Sequence, residues 1–382
     1  MSAPTRYFDF NATTPMSETA RRAWVEAAES HWHNPSSLYR EAGEARHRLE
    51  FWREALADHF GIDEPERVVF TSGATEANNA VIRHLAGSGS GGLAVSEIEH
   101  PCVEMAVNLS FAATRVRRIP TDRESGSVDP DFIRHCIARK ELDAVSVMAA
   151  NNETGTLQPW QEIAVLCREA GIPFHTDAAQ WIGKLPVEGF GECGYVTGSA
   201  HKFGGGKGAG FLILPEEETG EPFHGFVGGP QEHGRRAGTE NLPGVAAMVT
   251  ALLERDEASL LSLAEKQSEF RNAFEEQLVS QMGVKVLASA GPRLWNTSMF
   301  VLPHSRNLKW LTRLSQRGFA VSTGSACSAG KGNPSAVMMA MGLDHDEMGR
   351  VLRISGGWET NGADWEALSS AIRETGAELQ AQ

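Results

Sequence analysis

Short apolar runs alternate with stretches of helical periodicity through the middle of the chain, and that alternation decides the fold class. Arg67–Phe70, Leu93–Val95, Ala144–Met148 and Ile172–Asp177 read as buried strands. Between two of them, 159–170 repeats Trp160, Ile163, Ala164 and Leu166–Cys167 at helical spacing. Such units build a mainly parallel, twisted sheet flanked by helices. Upstream, Leu49, Trp52, Leu56 and Phe60 form one stripe of a helix over 43–60, which Gly61 closes at its C-terminal end. Near residue 250 the pattern changes. An amphipathic helix over about 256–281 leads to strands around 284–287, 297–302, 318–322 and 351–355, then a last helix over 363–380. The expected architecture is α/β: a large domain at 16–255, and a smaller α+β domain made of 1–15 and 256–382.

Composition narrows the class of function. The 382 residues carry 35 Lys+Arg against 49 Asp+Glu, a formal net charge of −14, which leaves no basic surplus for a nucleic-acid backbone. No apolar run approaches the ~18 residues of a membrane helix, so no membrane role is expected. MSAPTRYFDF is not a secretory leader. Cys102, Cys136, Cys167, Cys193 and Cys327 are scattered without a CxxC pair, which argues against a disulfide framework or a metal site. The reading is a protein of a reducing compartment, the cytoplasm.

Two Gly-rich tracts are set aside. Gly87, Gly89 and Gly92 fit a dinucleotide fingerprint in spacing but precede a strand instead of following one, so they read as a surface turn. His201–Gly208 lacks the first glycine and the final Ser/Thr of a P-loop.

Four other segments make chemical sense together. Ser72–Glu76 lies between a strand and a helix, where backbone N–H groups and the Thr75 hydroxyl suit either a phosphate or a plain helix cap. His175 and Asp177 share one face of a strand. Asp177 sits near its carboxyl end, as a partner for a pyridinium nitrogen or as a helix cap. Tyr195–Lys202 runs from a strand into a Gly-rich loop, placing Lys202, with Lys207 as a rival, where an amine can form a Schiff base. Ser322–Gly330 surrounds Cys327 with small residues, as an accessible thiol nucleophile requires, while the other four cysteines read as packing residues. Phosphate cradle, ring-nitrogen carboxylate, Schiff-base lysine and exposed thiol together indicate pyridoxal 5′-phosphate with a cysteine nucleophile.

With these residues in place, the chain resembles the cysteine desulfurases of the NifS/IscS kind, class V, fold type I pyridoxal-phosphate proteins. The resemblance rests on Tyr7–Pro15, His33–Ser37, Phe70–Asn79, Glu99-His100, Asn151–Gly155, His175–Gln180, Ser199–Lys202, Gly234–Asn241, Gly324–Cys327 and Leu352–Ser355. It implies that Lys202 holds the cofactor, Asp177 pairs with its ring nitrogen and His100 stacks on the ring. Gln180 and Asn152 would lie on the phenolic-oxygen side, and Ala74, Thr75, Ser199 and His201 at the phosphate. Thr239 would reach the phosphate of a partner subunit, which implies a homodimer. Asn34 and Arg353 would hold the substrate carboxylate. L-Cysteine would yield L-alanine and a persulfide on Cys327, with His100 as acid/base near the two thiols. The sulfur would pass to an acceptor protein in iron–sulfur cluster assembly or thiolation.

Phe10, the glycine-rich run Phe203–Gly206 and Thr323 depart from the usual pattern. The chain stops soon after its last expected helix, so docking to an iron–sulfur scaffold through a C-terminal extension is not expected. A selenocysteine lyase or a class V aminotransferase would share the fold but need no thiol at 327, and a non-catalytic binding protein would need none of these groups.

Overall fold

The computed structural model describes residues 6–87, 91–217, 221–324 and 335–381. Cys327 and Gly89 lie outside the described residues. Among the described residues there are twelve strands: β1 (Arg6–Tyr7), β2 (Val68–Thr71), β3 (Gly92–Ser96), β4 (Val116–Ile119), β5 (Leu142–Ser146), β6 (Phe174–Asp177), β7 (Tyr195–Ser199), β8 (Gly210–Ile213), β9 (Lys285–Val286), β10 (Thr297–Val301), β11 (Phe319–Ala320) and β12 (Val351–Ser355). Seven of them form one sheet in the order β2-β8-β7-β6-β5-β3-β4. Every pairing there is parallel except the two made by β8, which runs antiparallel to both β2 and β7. The sheet is therefore mainly parallel, as the strand–helix alternation required. The antiparallel β8 follows the Gly-rich loop and was not anticipated.

Burial on both faces explains the strand composition: β3, β6, β7 and β8 are buried at every position. Helices α1 (Glu18–Ser30), α2 (Arg40–His59), α3 (Ala74–Gly87) and α4 (Pro101–Ser110) pack beside the sheet with others further on. The helix read at 43–60 is α2, and Gly61 takes the left-handed φ of +66° just past its end. The strand read at 144–148 runs instead over Leu142–Ser146, because Val147–Ala150 are buried beyond the strand's end, where Met148 and Ala150 line a cavity.

The C-terminal part builds a three-stranded antiparallel sheet, β12-β10-β9, and a parallel pair, β1-β11. The amphipathic helix is Glu257–Met282 and the last helix Gly362–Gln380. The N-terminal segment stitches this part to the large sheet. Ser355 N donates to Phe8 O (2.8 Å), Phe10 N to Ser355 O (3.1 Å) and Thr14 N to His201 O (2.8 Å). Phe10 occupies the space over Gly357, where a Cβ would fall 2.2 Å from its ring, and Phe203 likewise fills the space over Gly183. Two of the three departures are thus aromatic–glycine packing pairs.

Candidate active site

The carboxyl ends of parallel strands are where such sheets place ligands. Five strand ends converge here on one cavity of about 590 Å³. β2 delivers Ser72–Glu76, β3 delivers His100, and β5 delivers Met148 and Asn152. β6 delivers Asp177 and Gln180, and β7 delivers Ser199, His201 and Lys202. Arg353 on β12 and Gly324, three residues before Cys327, complete the wall. Of the residues singled out by sequence, Ala74, Thr75, His100, Asn152, Asp177, Gln180, Ser199, His201, Lys202 and Arg353 meet at this cavity. Asn34 and Thr239 do not: both are exposed and absent from its lining.

At the β2 end, the first bond internal to α3 is donated by Ala77 N to Gly73 O (3.2 Å). The N–H groups of Ala74, Thr75 and Glu76 precede it and, among the described residues, are the helix's unpaired N-terminal donors. Gly210 of β8 backs this turn so closely that a Cβ there would lie 2.5 Å from Gly73 Cα and 2.6 Å from Gly198 O. Glu76 is turned away from the donors. It accepts from Ser72 N (3.0 Å) and Ser72 Oγ (2.5 Å), and from Arg236 through two bonds of 2.9 and 3.1 Å. Burial opposes its ionisation, but Arg236 and Ser72 outweigh it and hold the carboxyl below its usual range.

Lys202 sits on a 3-10 turn directly after β7, and its Nζ donates to Asn11 O (2.6 Å) and Ala12 O (3.0 Å). Lys207 also lines the cavity but is exposed. Burial, with Lys202 and Lys207 nearby, pushes His201 down to about 4, so its imidazole is neutral at pH 7. Gln180 is oriented from behind: the buried Lys184 donates to its Oε1 (2.6 Å), which turns Nε2 toward Asn11 O (2.9 Å).

Asp177 and His175 do face the same way, and both meet α3 at Asn78. Asn78 Nδ2 donates to Asp177 Oδ2 (2.7 Å), and Asn78 Oδ1 lies 3.0 Å from His175 Nε2. Ala179 N donates to Asp177 Oδ1 (3.0 Å), a local turn that coexists with the cavity-facing position. His100 is the N-cap of α4, with Pro101 at the first helical position, and its Nδ1 accepts from Cys102 N (3.2 Å).

Cys102 itself extends the sequence reading. It packs against the apolar cluster around α3, as expected, but also forms part of the cavity wall, 3.0 Å from His100 Nδ1. The signal was available, since a His-Pro-Cys start brings the third residue back onto the cap. Asn78, one helical turn beyond Ala74, was also overlooked, as were Asn11 and Lys184.

Arg353 is 2% exposed. Its Nη1 donates to Asn152 O and Gly324 O (2.9 Å each), and its Nη2 to Asp9 Oδ1 (2.5 Å). Its Nε is buried with no partner among the described residues, an orphan donor of the kind a carboxylate satisfies.

The donor set fits pyridoxal 5′-phosphate: unpaired N–H groups and a neutral His201 at one end, an amine in the middle and a carboxylate at the other. The cavity size suits a small ligand and its substrate.

The chain is similar to known proteins along most of its length. The family model for class-V aminotransferases matches residues 6–368. A protein of Dictyoglomus turgidum named cysteine desulfurase IscS is 35% identical over 349 residues, covering 88% of this chain and 86% of that protein. An IscS-like cysteine desulfurase of Mycobacterium tuberculosis is 34% identical, covering 96% of this chain and 95% of its own. The X-ray structure of a NifS-like protein from Rickettsia africae superposes with a TM-score of 0.85 at 26% identity, covering 97% of this chain and 99% of that one.

Proposed function

Because the chain belongs to the class-V aminotransferase family and, within it, to the cysteine desulfurases, we propose that it removes sulfur from L-cysteine at this cavity, with pyridoxal 5′-phosphate and Cys327. The supporting observation is the convergence of Lys202, Asp177, His100, the unpaired donors of α3 and Arg353 on one cavity. When bound, the cofactor supplies an aldehyde for an amine and a pyridinium ring that draws electrons from the substrate α-carbon.

The chain's own residues do the rest. Ala74, Thr75, Ser199 and His201 would hold the phosphate, and the Asp177 carboxylate would accept from the ring nitrogen. His100 would cover the ring, while Gln180 and Asn152 would address its phenolic side. Lys202 Nζ would hold the aldehyde and, once free, would carry the substrate's α-proton. Arg353 takes the substrate carboxylate with Nε, and Asn34 from a second copy adds a donor to it. The Cys327 thiolate forms an S–S bond to the substrate sulfur as the carbon–sulfur bond breaks. The carbon gains a proton in place of sulfur, leaving L-alanine and a persulfide on Cys327. His100 exchanges protons with the two sulfurs, and the outer sulfur passes to a thiol of an acceptor protein.

Asn34 and Thr239, exposed and away from this chain's own cavity, are read as serving the site of a second copy in a homodimer. The division near residue 255 is supported by an apolar cluster on each side of it, with Phe8 joining residues 274–379, while Ile98 and Met148 pack with residues 287–351 in a cluster that bridges the two. Cys102, Cys136, Cys167 and Cys193 are free thiols, in keeping with the cytoplasm.

The test is release of L-alanine and sulfide from L-cysteine and a reductant. Lys202→Ala should lose both turnover and the cofactor's visible band. Cys327→Ala should keep the band and lose sulfide release. Full turnover in Cys327→Ala would replace this reading with a lyase mechanism.

A further inference from the structure

Asn78 and Cys102 have no part in the mechanism above, yet they stand between groups that do. Asn78 is fully buried on α3. Its Oδ1 accepts from Thr197 Oγ1 (2.6 Å) and His175 Nε2 (3.0 Å), which leaves Nδ2 as the donating side. Nδ2 donates one hydrogen to Asp177 Oδ2 (2.7 Å) and the other to Cys102 Sγ (3.2 Å). That sulfur lies 3.0 Å from His100 Nδ1, and the Cys102 backbone N–H already donates to the same nitrogen (3.2 Å). Nδ1 must therefore present its lone pair, and the thiol is the donor. A carboxylate at one end and a lone pair at the other assign every hydrogen of the chain Asp177–Asn78–Cys102–His100.

We infer that Asn78 and Cys102 are positioning residues that tie the Asp177 carboxylate to the His100 imidazole and hold that ring as the neutral Nε2–H tautomer. The inference rests on the reading that Asp177 and His100 flank the cofactor ring. Its consequence is a division of labour within one histidine. Nε2 offers a proton to the reacting sulfurs, and Nδ1 takes one only by giving up two bonds to Cys102. Burial already pushes His100 below the usual imidazole range; Asp177 opposes this and Lys202 adds to it. Burial, reinforced by Asp177, pushes the Cys102 thiol up to about 12, so the thiol keeps the proton it donates.

The experiment compares the full-length protein with Cys102→Ser and Cys102→Ala, which remove volume and add no clash. Each is labelled with 15N-histidine and titrated with pyridoxal 5′-phosphate bound and after its removal, with His100 assigned through His100→Gln. A serine hydroxyl can still donate to Nδ1 and accept from Asn78. Cys102→Ser should therefore keep the neutral Nε2–H form and titrate within about 0.3 unit of the parent. Cys102→Ala should raise the His100 midpoint by about 0.5 to 1 unit, and the pH midpoint of the cofactor's visible band should move in the same rank order. An alanine variant that titrates with the parent, or a serine variant that moves as far as alanine, overturns the inference. Failure of the parent to take up the cofactor would overturn the active-site reading instead, while the cofactor-free titration still decides the bridge.

Discussion

Gly210→Ala tests whether the phosphate end is built by close backbone approach. A Cβ at 210 would stand 2.5 Å from Gly73 Cα, 2.9 Å from Gly73 C and 2.6 Å from Gly198 O, against an ordinary contact of 3.4–4 Å. Something must move by about 1 Å, and none of the three atoms belongs to a side chain that can swing away. Gly198 lies inside β7, paired on both edges, so the turn at Gly73 is the side that yields. Overpacking of this kind costs about 1–3 kcal/mol of stability. The larger effect is on ligand: shifting the N–H groups of Ala74, Thr75 and Glu76 by about 1 Å takes hydrogen bonds out of their working range. Losing one or two bonds to a phosphate, at about 1.5–3 kcal/mol each, weakens cofactor affinity by about a hundredfold. Titration of cofactor-free protein with pyridoxal 5′-phosphate, followed by absorbance, reads the affinity, and a thermal melt reads the stability. Gly43→Ala on α2 is the control, since only a distant arginine nitrogen at 4.0 Å faces that site. An alanine at 210 that leaves affinity within about twofold and the melt within about one degree would refute the cradle.

Three further outcomes are expected. Arg53 and Glu232 form a buried ion pair, with Arg53 Nη1 to Glu232 Oε2 at 2.7 Å and Phe70 N to the same oxygen at 2.7 Å, so Glu232→Leu should cost about 3–5 kcal/mol by urea unfolding. Replacing both partners with apolar residues should recover much of that loss, and additive losses would count against the pair as a unit. Burial holds His175 down at about 4, opposed by Asp177, while the unfolded imidazole titrates near 6.5. The unfolded state therefore binds more protons, and the stability from the neutral native ring is complete above pH 6.5 and falls as pH drops toward 4. About 2 kcal/mol is lost from this group by pH 5, and His175→Gln should flatten that part of the acid limb in urea midpoints from pH 5 to 7.5. Burial pushes Cys102 and Cys167 up to about 12, so iodoacetamide at pH 8 should leave both unlabelled in the native protein by mass spectrometry.

Local chemistry was legible in the sequence wherever a residue's surroundings are set by its own neighbours. The apolar runs gave β2, β3 and β6, the helical stripe gave α2, and Gly61 marked its end because only a left-handed residue closes that turn. Where two causes of burial overlap, the reading slipped. Ala144–Met148 looked like one strand, yet only its first part pairs in the sheet, and Met148 is buried where it lines the cavity. Strand direction left no trace either: β8 has the composition of its parallel neighbours, and its reversal follows from the Gly-rich return of 203–209, which periodicity does not register. Cys102 shows the deeper limit. As one apolar residue among others on an amphipathic helix it reads as packing, and its place on the cavity wall depends on Asn78, 24 positions away, turning its amide both ways. That orientation is forced in turn by Asp177, a further 75 residues on, because a carboxylate accepts and never donates. A motif can name the acid, the imidazole and the lysine of such a site. The hydrogen that joins them becomes assignable only once the fold has brought a carboxylate, an amide and a thiol into line.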